Sequence, residues 1–305
     1  MKTVVTTGKV FADIDALACG IVYKELLEKL GKNSEFVITG PLNNTVTKSI
    51  LNWDLDYKKE VGSGDTNFVI VDASNKDVLP EFVKLNKIIE VYDHRFGYQD
   101  FWKDKNIRIK IKIDEVGACA TLIWEEFKRH NLESRISKVS ANLLYTAIFS
   151  NTLNFNASVT TIRDKSAFQE LKKYISLPSD WVDIYYKESE EQTKDNPELA
   201  IKNDTKVVDF PEKNIKITIG QIELWNSHEF IKNNKEVIKK TLVDFGNQEW
   251  FMTAPSISEG KNYIYTESQN IKDNLSKLID ANFEKDLGVT KKLWLRKEIL
   301  KKMLQ

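Results

Sequence analysis

A set of residues in the first third of the chain has the types and spacing to hold a divalent cation or a phosphate. Asp13 and Asp15 stand two apart in VFADIDALA. Carboxylates at i and i+2 of a loop aim at neighbouring points, as hard cations require of oxygen ligands. Asp72 ends the apolar run NFVIVD, where a charge is costly unless it is paired or metal-bound. Asp93-His94-Arg95 ends the next apolar run, KIIEVYDHR; the chain has three histidines, and the others are His130 and His228. An imidazole held by a neighbouring carboxylate is a good ligand for manganese, cobalt or zinc. Singly, each residue is an ordinary cap or turn former. Together, at successive ends of apolar runs, they indicate a metal or phosphate site.

The elements that must position them follow from periodicity. Residues 2–7 form a β-branched run that stops at Gly8, and residues 15–30 carry Leu17, Ile21, Val22, Leu26, Leu27 and Leu30 at helical spacing. Residues 36–39, 67–72, 87–93 and 108–114 read as strands, and residues 117–127 and 137–149 as helices. Strand and helix alternating at this rhythm predict an α/β domain with a doubly wound, mostly parallel sheet. Ligands of such sheets bind beyond the carboxyl ends of the strands, where these polar residues fall.

The composition shifts at residues 187–198, KESEEQTKDNPE, which read as a linker or a solvated helix leading into one. A second, smaller α/β pattern follows, with strands at 206–210, 215–224, 250–254 and 263–266 and helices at 228–243 and 272–283. The expected organisation is a domain over 1–187, a linker over 188–198 and a domain over 199–305.

Charge and composition exclude several classes. Lys+Arg and Asp+Glu are both 45, so the net charge is zero, which argues against a long nucleic acid or a membrane surface as partner. The N-terminal MKTVVTTGKV is too short and polar for a signal peptide, and no apolar run reaches the roughly 18 residues of a membrane span. A cytoplasmic location is expected. Cys19 and Cys119 lie in apolar helical contexts and read as buried structural thiols.

At this point the sequence resembles the DHH superfamily of phosphoesterases. Its likeness is to the branch that adds a DHHA2 domain: manganese-dependent (family II) inorganic pyrophosphatases, exopolyphosphatases and prune-like proteins. TTGKVFADIDALACGIVYKELL is similar to the first family motif, VIVDAS to the second, VYDHRF to the DHH motif and EVGACATLIWEEF to the helix start that follows. TAIFSNTLNFNASVTTIRD is similar to the fourth motif; DTKVVDF, IGQIE and LRKEILKKML resemble elements of DHHA2. The resemblance implies an active site in the cleft between two domains. It implies Asp13 and Asp72 on one metal, and Asp15, Asp72 and His94 on a second. Arg95, Lys206, Arg296 and Lys297 would hold the phosphates of a small phosphate-containing substrate. The cofactor would be Mn2+, with Mg2+ or Co2+ as substitutes, at one or two ions per chain, and a homodimer is compatible with the family.

Three residues depart from the family pattern. Lys9 stands where pyrophosphatases have a metal-binding histidine, Arg95 replaces the second histidine of DHH, and Asn151 replaces an aspartate. A protonated lysine cannot ligate a metal. Lys9 is therefore expected to pair with Asp13 and Asp72 in place of one ion, leaving the other on Asp15, Asp72, His94 and the Asn151 carbonyl. The expected function is hydrolysis of phosphoanhydride bonds, in pyrophosphate or short polyphosphate, by metal-activated water. The competing reading is a catalytically weakened member that binds phosphate ligands as a sensor or protein partner. An oligonucleotide-degrading phosphodiesterase is disfavoured, because the glycine-rich GGGH-type element of those relatives is missing.

Overall fold

The computed structural model describes residues 2–95, 97–103, 109–211 and 215–304. Two compact units are present. The first comprises the chain up to Phe155 with Val159–Val182, and the second Asn156–Ser158 with the chain from Asp183 onward. Among the described residues no helix is long and apolar enough to cross a membrane.

In the first unit the chain runs β1 (Lys2–Thr6), α1 (Ile14–Lys29), β2 (Ser34–Val37), α2 (Lys48–Leu51), β3 (Thr66–Val71), β4 (Ile88–Asp93), α3 (Gln99–Lys103), β5 (Lys110–Ile113), α4 (Cys119–Arg129), α5 (Lys138–Asn151) and α6 (Ile162–Leu171). The strand read over 108–114 is thus β5; Arg108 lies outside the described residues. The sheet order is β2-β1-β3-β4-β5, and every pairing is parallel. Parallel strands are covered on both faces, so they read as unbroken apolar runs: Val4, Val5, Val69, Ile70, Val71 and Val91 are fully buried. In this order the chain reverses direction of travel between β1 and β3, which opens a crevice at their carboxyl ends. Asp13 and Asp15 follow β1, Asp72 follows β3, and Asp93-His94 closes β4.

Helix α1 is buried over most of its length, which its apolar composition permits. Gly20 lets it approach the sheet closely, since a Cβ there would stand 2.0 Å from the Phe36 ring. On the opposite face Trp102 of α3, with Phe82 and Phe101 against it, packs onto Phe68, Ile70 and Val91.

Helix α7 (Trp181–Asp195) crosses the unit boundary, and α8 (Pro197–Asn203) follows it directly. The charged stretch read as a linker or a solvated helix is therefore helical through Asp195. Beyond it come β6 (Thr205–Phe210), β7 (Ile215–Gln221), α9 (His228–Asn233), α10 (Lys235–Val243), β8 (Glu249–Ser256), β9 (Lys261–Tyr265), α11 (Gln269–Ile279), β10 (Asn282–Glu284), β11 (Leu287–Val289) and α12 (Arg296–Met303). They build a separate mixed sheet, β10-β11-β9-β8-β7-β6, in which only β7 and β8 pair in parallel among the described strands. Alternation along β8 divides its core. Trp250, Met252 and Ala254 pack with α8–α10, whereas Phe251 packs with α11 and α12.

Two helices differ from expectation. The helix read over 228–243 breaks at Asn234, whose side-chain amide donates to the Phe230 carbonyl at 2.9 Å. The helix read over 272–283 ends earlier, at Asp280, in a left-handed conformation with φ 54°, and residues 282–284 become β10.

Candidate metal centre

Asp13 is the N-cap of α1, accepting from the Ala16 amide at 2.9 Å. Asp15, one position inside the helix, is fully buried and reaches the start of α4. There it accepts from the Cys119 and Ala120 amides, each at 2.8 Å. The first amides of a helix have no intrahelical partner and attract negative charge, so α4 pins this carboxylate by its own N-terminus. The Asn151 side chain, at the end of α5, adds a third donor at 2.6 Å.

His94 follows β4 and is buried. Its Nδ1 lies 3.2 Å from the Val116 carbonyl oxygen. A carbonyl only accepts, so Nδ1 carries a proton, and Nε2 is the nitrogen the neutral ring offers to a metal. That Nε2 stands 3.4 Å from Asp72 Oδ1 and 3.8 Å from Asp15 Oδ2. The ligand atoms of Asp15, Asp72 and His94 all lie within 4.8 Å of one another, and all three residues are buried. Asp72 reaches this position by a turn at the end of β3. Its φ is 50°, a left-handed conformation that aspartate tolerates better than most residues, and its amide donates to the Tyr92 carbonyl at 2.9 Å.

The carboxylates repel one another. Burial, and then the charge of Asp72, raise the pKa of Asp13. Burial, then Asp72 and Asp13, push Asp15 well above the usual carboxylate range, against the amides of Ala120 and Cys119. Such a cluster must take up protons or a cation. Two buried carboxylates and an imidazole whose Nε2 faces them fit a divalent ion of intermediate hardness.

The cation actually present is Arg95. Its Nη1 and Nη2 lie 3.2 and 3.1 Å from Asp72 Oδ1 and Oδ2, and Nη1 also lies 3.1 Å from Asp93 Oδ1. Nη1 donates to the Asp72 carbonyl as well. Burial works against the guanidinium charge, but Asp72, Asp93 and Asp13 outweigh it and raise its pKa well above the ordinary value. Asp93 is fully buried and accepts from the Ser74 hydroxyl and, at 2.8 Å, the His94 amide.

Lys9 is not where the sequence placed it. Its ammonium lies 2.6 Å from Glu81, with the side chain 37% exposed, rather than on Asp13 and Asp72. The backbone explains this: the Lys9 amide is tied to the Val78 carbonyl at 2.8 Å, on the segment that carries Glu81. Asn151 likewise turns its amide nitrogen, not its carbonyl, toward Asp15. A carboxylate oxygen in its ionised form accepts, which matches the NH2 group facing it at 2.6 Å.

In the second unit, Arg296 is buried and committed. It donates to the Asp204 carboxylate and carbonyl at 2.5 Å and to the Ile219 carbonyl at 3.3 Å. Lys206 on β6 and Lys297 in the first turn of α12 are exposed. Ile219 is the register partner of Lys206, so Arg296 lies beside that strand. Trp250, Phe251 and Trp294 are buried.

Periodicity did not reveal Asp164. Fully buried, it accepts from Gly117 N at 2.9 Å, Thr121 Oγ1 at 2.6 Å, and Thr161 N and Oγ1 at 2.8 and 2.7 Å. It thereby anchors the start of α4, whose next amides hold Asp15. The T-x-x-D spacing of a capping box was its signal in the sequence. Gly117 is required there, since a Cβ would meet Thr152 Cγ2 at 2.4 Å.

Residues 3–148 match the family model described as DHH family, N-terminal domain. A relative from Bacillus mycoides (strain KBAB4), named "Probable manganese-dependent inorganic pyrophosphatase", is 24% identical over 78% of this chain and 76% of its own. A Bacillus anthracis relative of the same name shows the same identity and coverage. Among solved structures, a Methanococcus jannaschii protein assigned to the family II inorganic pyrophosphatases is 21% identical with a TM-score of 0.73, covering 100% of this chain and 98% of that one. An exopolyphosphatase-related protein from Bacteroides fragilis is 13% identical with a TM-score of 0.52, covering 99% and 90%.

Proposed function

We propose, from the premise that residues 3–148 match the DHH-family N-terminal domain, that this chain is a metal-dependent hydrolase of phosphoanhydride bonds. Inorganic pyrophosphate or a short-chain polyphosphate is the substrate. The observation that carries this reading is the buried convergence of Asp15, Asp72 and His94. The names of the Bacillus relatives supply the substrate class and point to manganese.

Asp15, Asp72 and the His94 Nε2 would hold the ion. When bound, a divalent cation there makes water a stronger nucleophile at neutral pH and offsets phosphate charge. The protein does the remaining work. Val116 keeps the His94 tautomer, the α4 amides orient Asp15, and Arg95 presents a half-exposed guanidinium suited to a phosphate oxygen. Lys206 and Lys297 are proposed to bind substrate phosphates, with Arg296 a buried support for β6.

The test is phosphate release from pyrophosphate and tripolyphosphate with Mn2+, Mg2+ or Co2+, beside an Asp72→Ala control. Mn2+-dependent release that the control lacks supports the reading. Release no greater than the control with every cation sinks it. A second reading, a phosphate-ligand binder with weakened turnover, is favoured by the Asn151 amide on Asp15, since it spends a ligand oxygen on a hydrogen bond. Calorimetric binding of pyrophosphate without phosphate release would select that reading.

A further inference from the structure

We infer that Arg95 takes the place of a second divalent cation at Asp72, so that this centre works with one metal ion per chain. The inference deepens the proposed hydrolase function and rests on it. The second ion that the family resemblance implies would sit on Asp13 and Asp72. With Arg95 set on both Asp72 oxygens, that place does not fit a metal here. Among the described residues, the cluster of His, Cys, Asp and Glu donors close enough to share an ion is Asp15, Asp72 and His94, and Asp13 is not part of it. Lys9, at the position of the missing histidine, is on Glu81.

The geometry of Arg95 supplies the positive charge instead. A guanidinium set on both oxygens of one carboxylate is the strongest ion-pair arrangement a side chain offers, and it is directional. Here it spans Oδ1 and Oδ2 of Asp72 at 3.2 and 3.1 Å and is fastened to Asp93 at 3.1 Å. An ion on Asp72 Oδ2 would share the pocket with a guanidinium that Asp93 keeps nearby, and the two positive charges repel. An ion on the His94 side meets Asp72 through Oδ1 alone, which lies 3.4 Å from Nε2. An oxygen has room for both a guanidinium hydrogen and a metal, so the first ion and Arg95 coexist at Asp72; what excludes a second ion is the fixed guanidinium charge that Asp72 and Asp93 hold together. The Arg95 side chain is 42% exposed, so it can carry out a second ion's other duty, neutralising a substrate phosphate.

The experiment counts metal. Wild type, Arg95→Ala and Arg95→Lys are stripped with chelator and equilibrated with a Mn2+ series. Bound manganese is measured by atomic emission, and the spin state by low-temperature EPR. Wild type and Arg95→Lys are expected to bind one ion per chain with an uncoupled spectrum. Arg95→Ala is expected to take a second ion at least ten-fold more tightly than wild type, with a spin-coupled spectrum. Two coupled ions in wild type overturn the inference and leave the hydrolase reading intact, as does Arg95→Ala remaining at one ion while folded by circular dichroism. Should Arg95→Ala not fold, the wild-type and Arg95→Lys counts decide alone. One ion with no phosphate release removes the hydrolase reading and keeps the stoichiometry. No bound manganese overturns both.

Discussion

The Asn151 side-chain amide donates to Asp15 Oδ2 at 2.6 Å, joining the end of one helix to the start of another across 136 residues. The contact neutralises nothing, but it gives this oxygen a second donor beside the Cys119 amide, against the negative charge of Asp72 and Asp13. It also sets a first expectation. Asn151→Asp places a second carboxylate against Asp15, and like charges that close cannot both stay ionised. The metal-free variant should lose about 1–3 kcal/mol of stability. With Mn2+ the order reverses: tighter binding, a larger thermal shift on adding metal, and faster phosphate release. Paired melts with and without Mn2+ check this, and an unchanged metal-free melt contradicts it.

The pH dependence follows from Asp15. Its folded-state pKa lies above the ordinary 3.8, because of burial and then Asp72 and Asp13. The folded protein therefore binds the proton more tightly than the unfolded chain. Its contribution to stability is full below pH 3.8 and is lost as pH rises toward the raised folded value. Asp15→Asn lacks this titration. In chelator, the stability of Asp15→Asn relative to wild type should improve as pH rises from about 4 to 7. Urea denaturation at several pH values measures it, and a flat difference counts against the assignment. Saturating Mn2+ should abolish the trend in wild type.

Asp164 accepts from five donors at the α4 and α6 entries, so Asp164→Ala should leave buried amides and hydroxyls unsatisfied. A loss of about 2–4 kcal/mol is expected. Because the same contacts fix the start of α4, Mn2+ affinity should fall with it, by about ten-fold or more. Denaturation with metal titration on the folded fraction reads both. Intact affinity would show that α4 holds Asp15 without this anchor.

The cations of the second unit should separate by phenotype. Arg296 is tied to Asp204 and Ile219, so Arg296→Ala should cost about 2–4 kcal/mol of stability, partly by leaving those acceptors unpaired. Lys297 is exposed, and Lys297→Ala should leave the melting temperature within about a degree while raising KM several-fold. Equal loss of stability in both variants would remove the distinction.

Much of the fold was legible because buried parallel strands have little choice of residue. The runs TVV and FVIV admit no polar face, and the one closing at YDH admits a single carboxylate, Glu90; each ends where the site's polar residues begin. The helix boundaries at Asn234 and Asp280 were less legible. There a side-chain amide and a left-handed residue ended helices that apolar spacing alone would have continued.

The same division runs through the centre. Sequence alone placed Asp13, Asp15, Asp72 and Asp93-His94 at one edge, since residues just beyond parallel strands share that edge whatever the details of packing; that Asp15, Asp72 and His94 form one set was implied by the family resemblance. Only the tertiary structure decided which cation faces Asp72, and which end of Asn151 faces Asp15. Those outcomes depend on where a few long or two-ended side chains swing. The Val78 carbonyl holds the Lys9 backbone toward Glu81, and the Asp93 carboxylate holds Arg95 over Asp72. Lys9 and Val78, and likewise Arg95 and Asp72, are far apart in the chain, so residue spacing reveals neither contact.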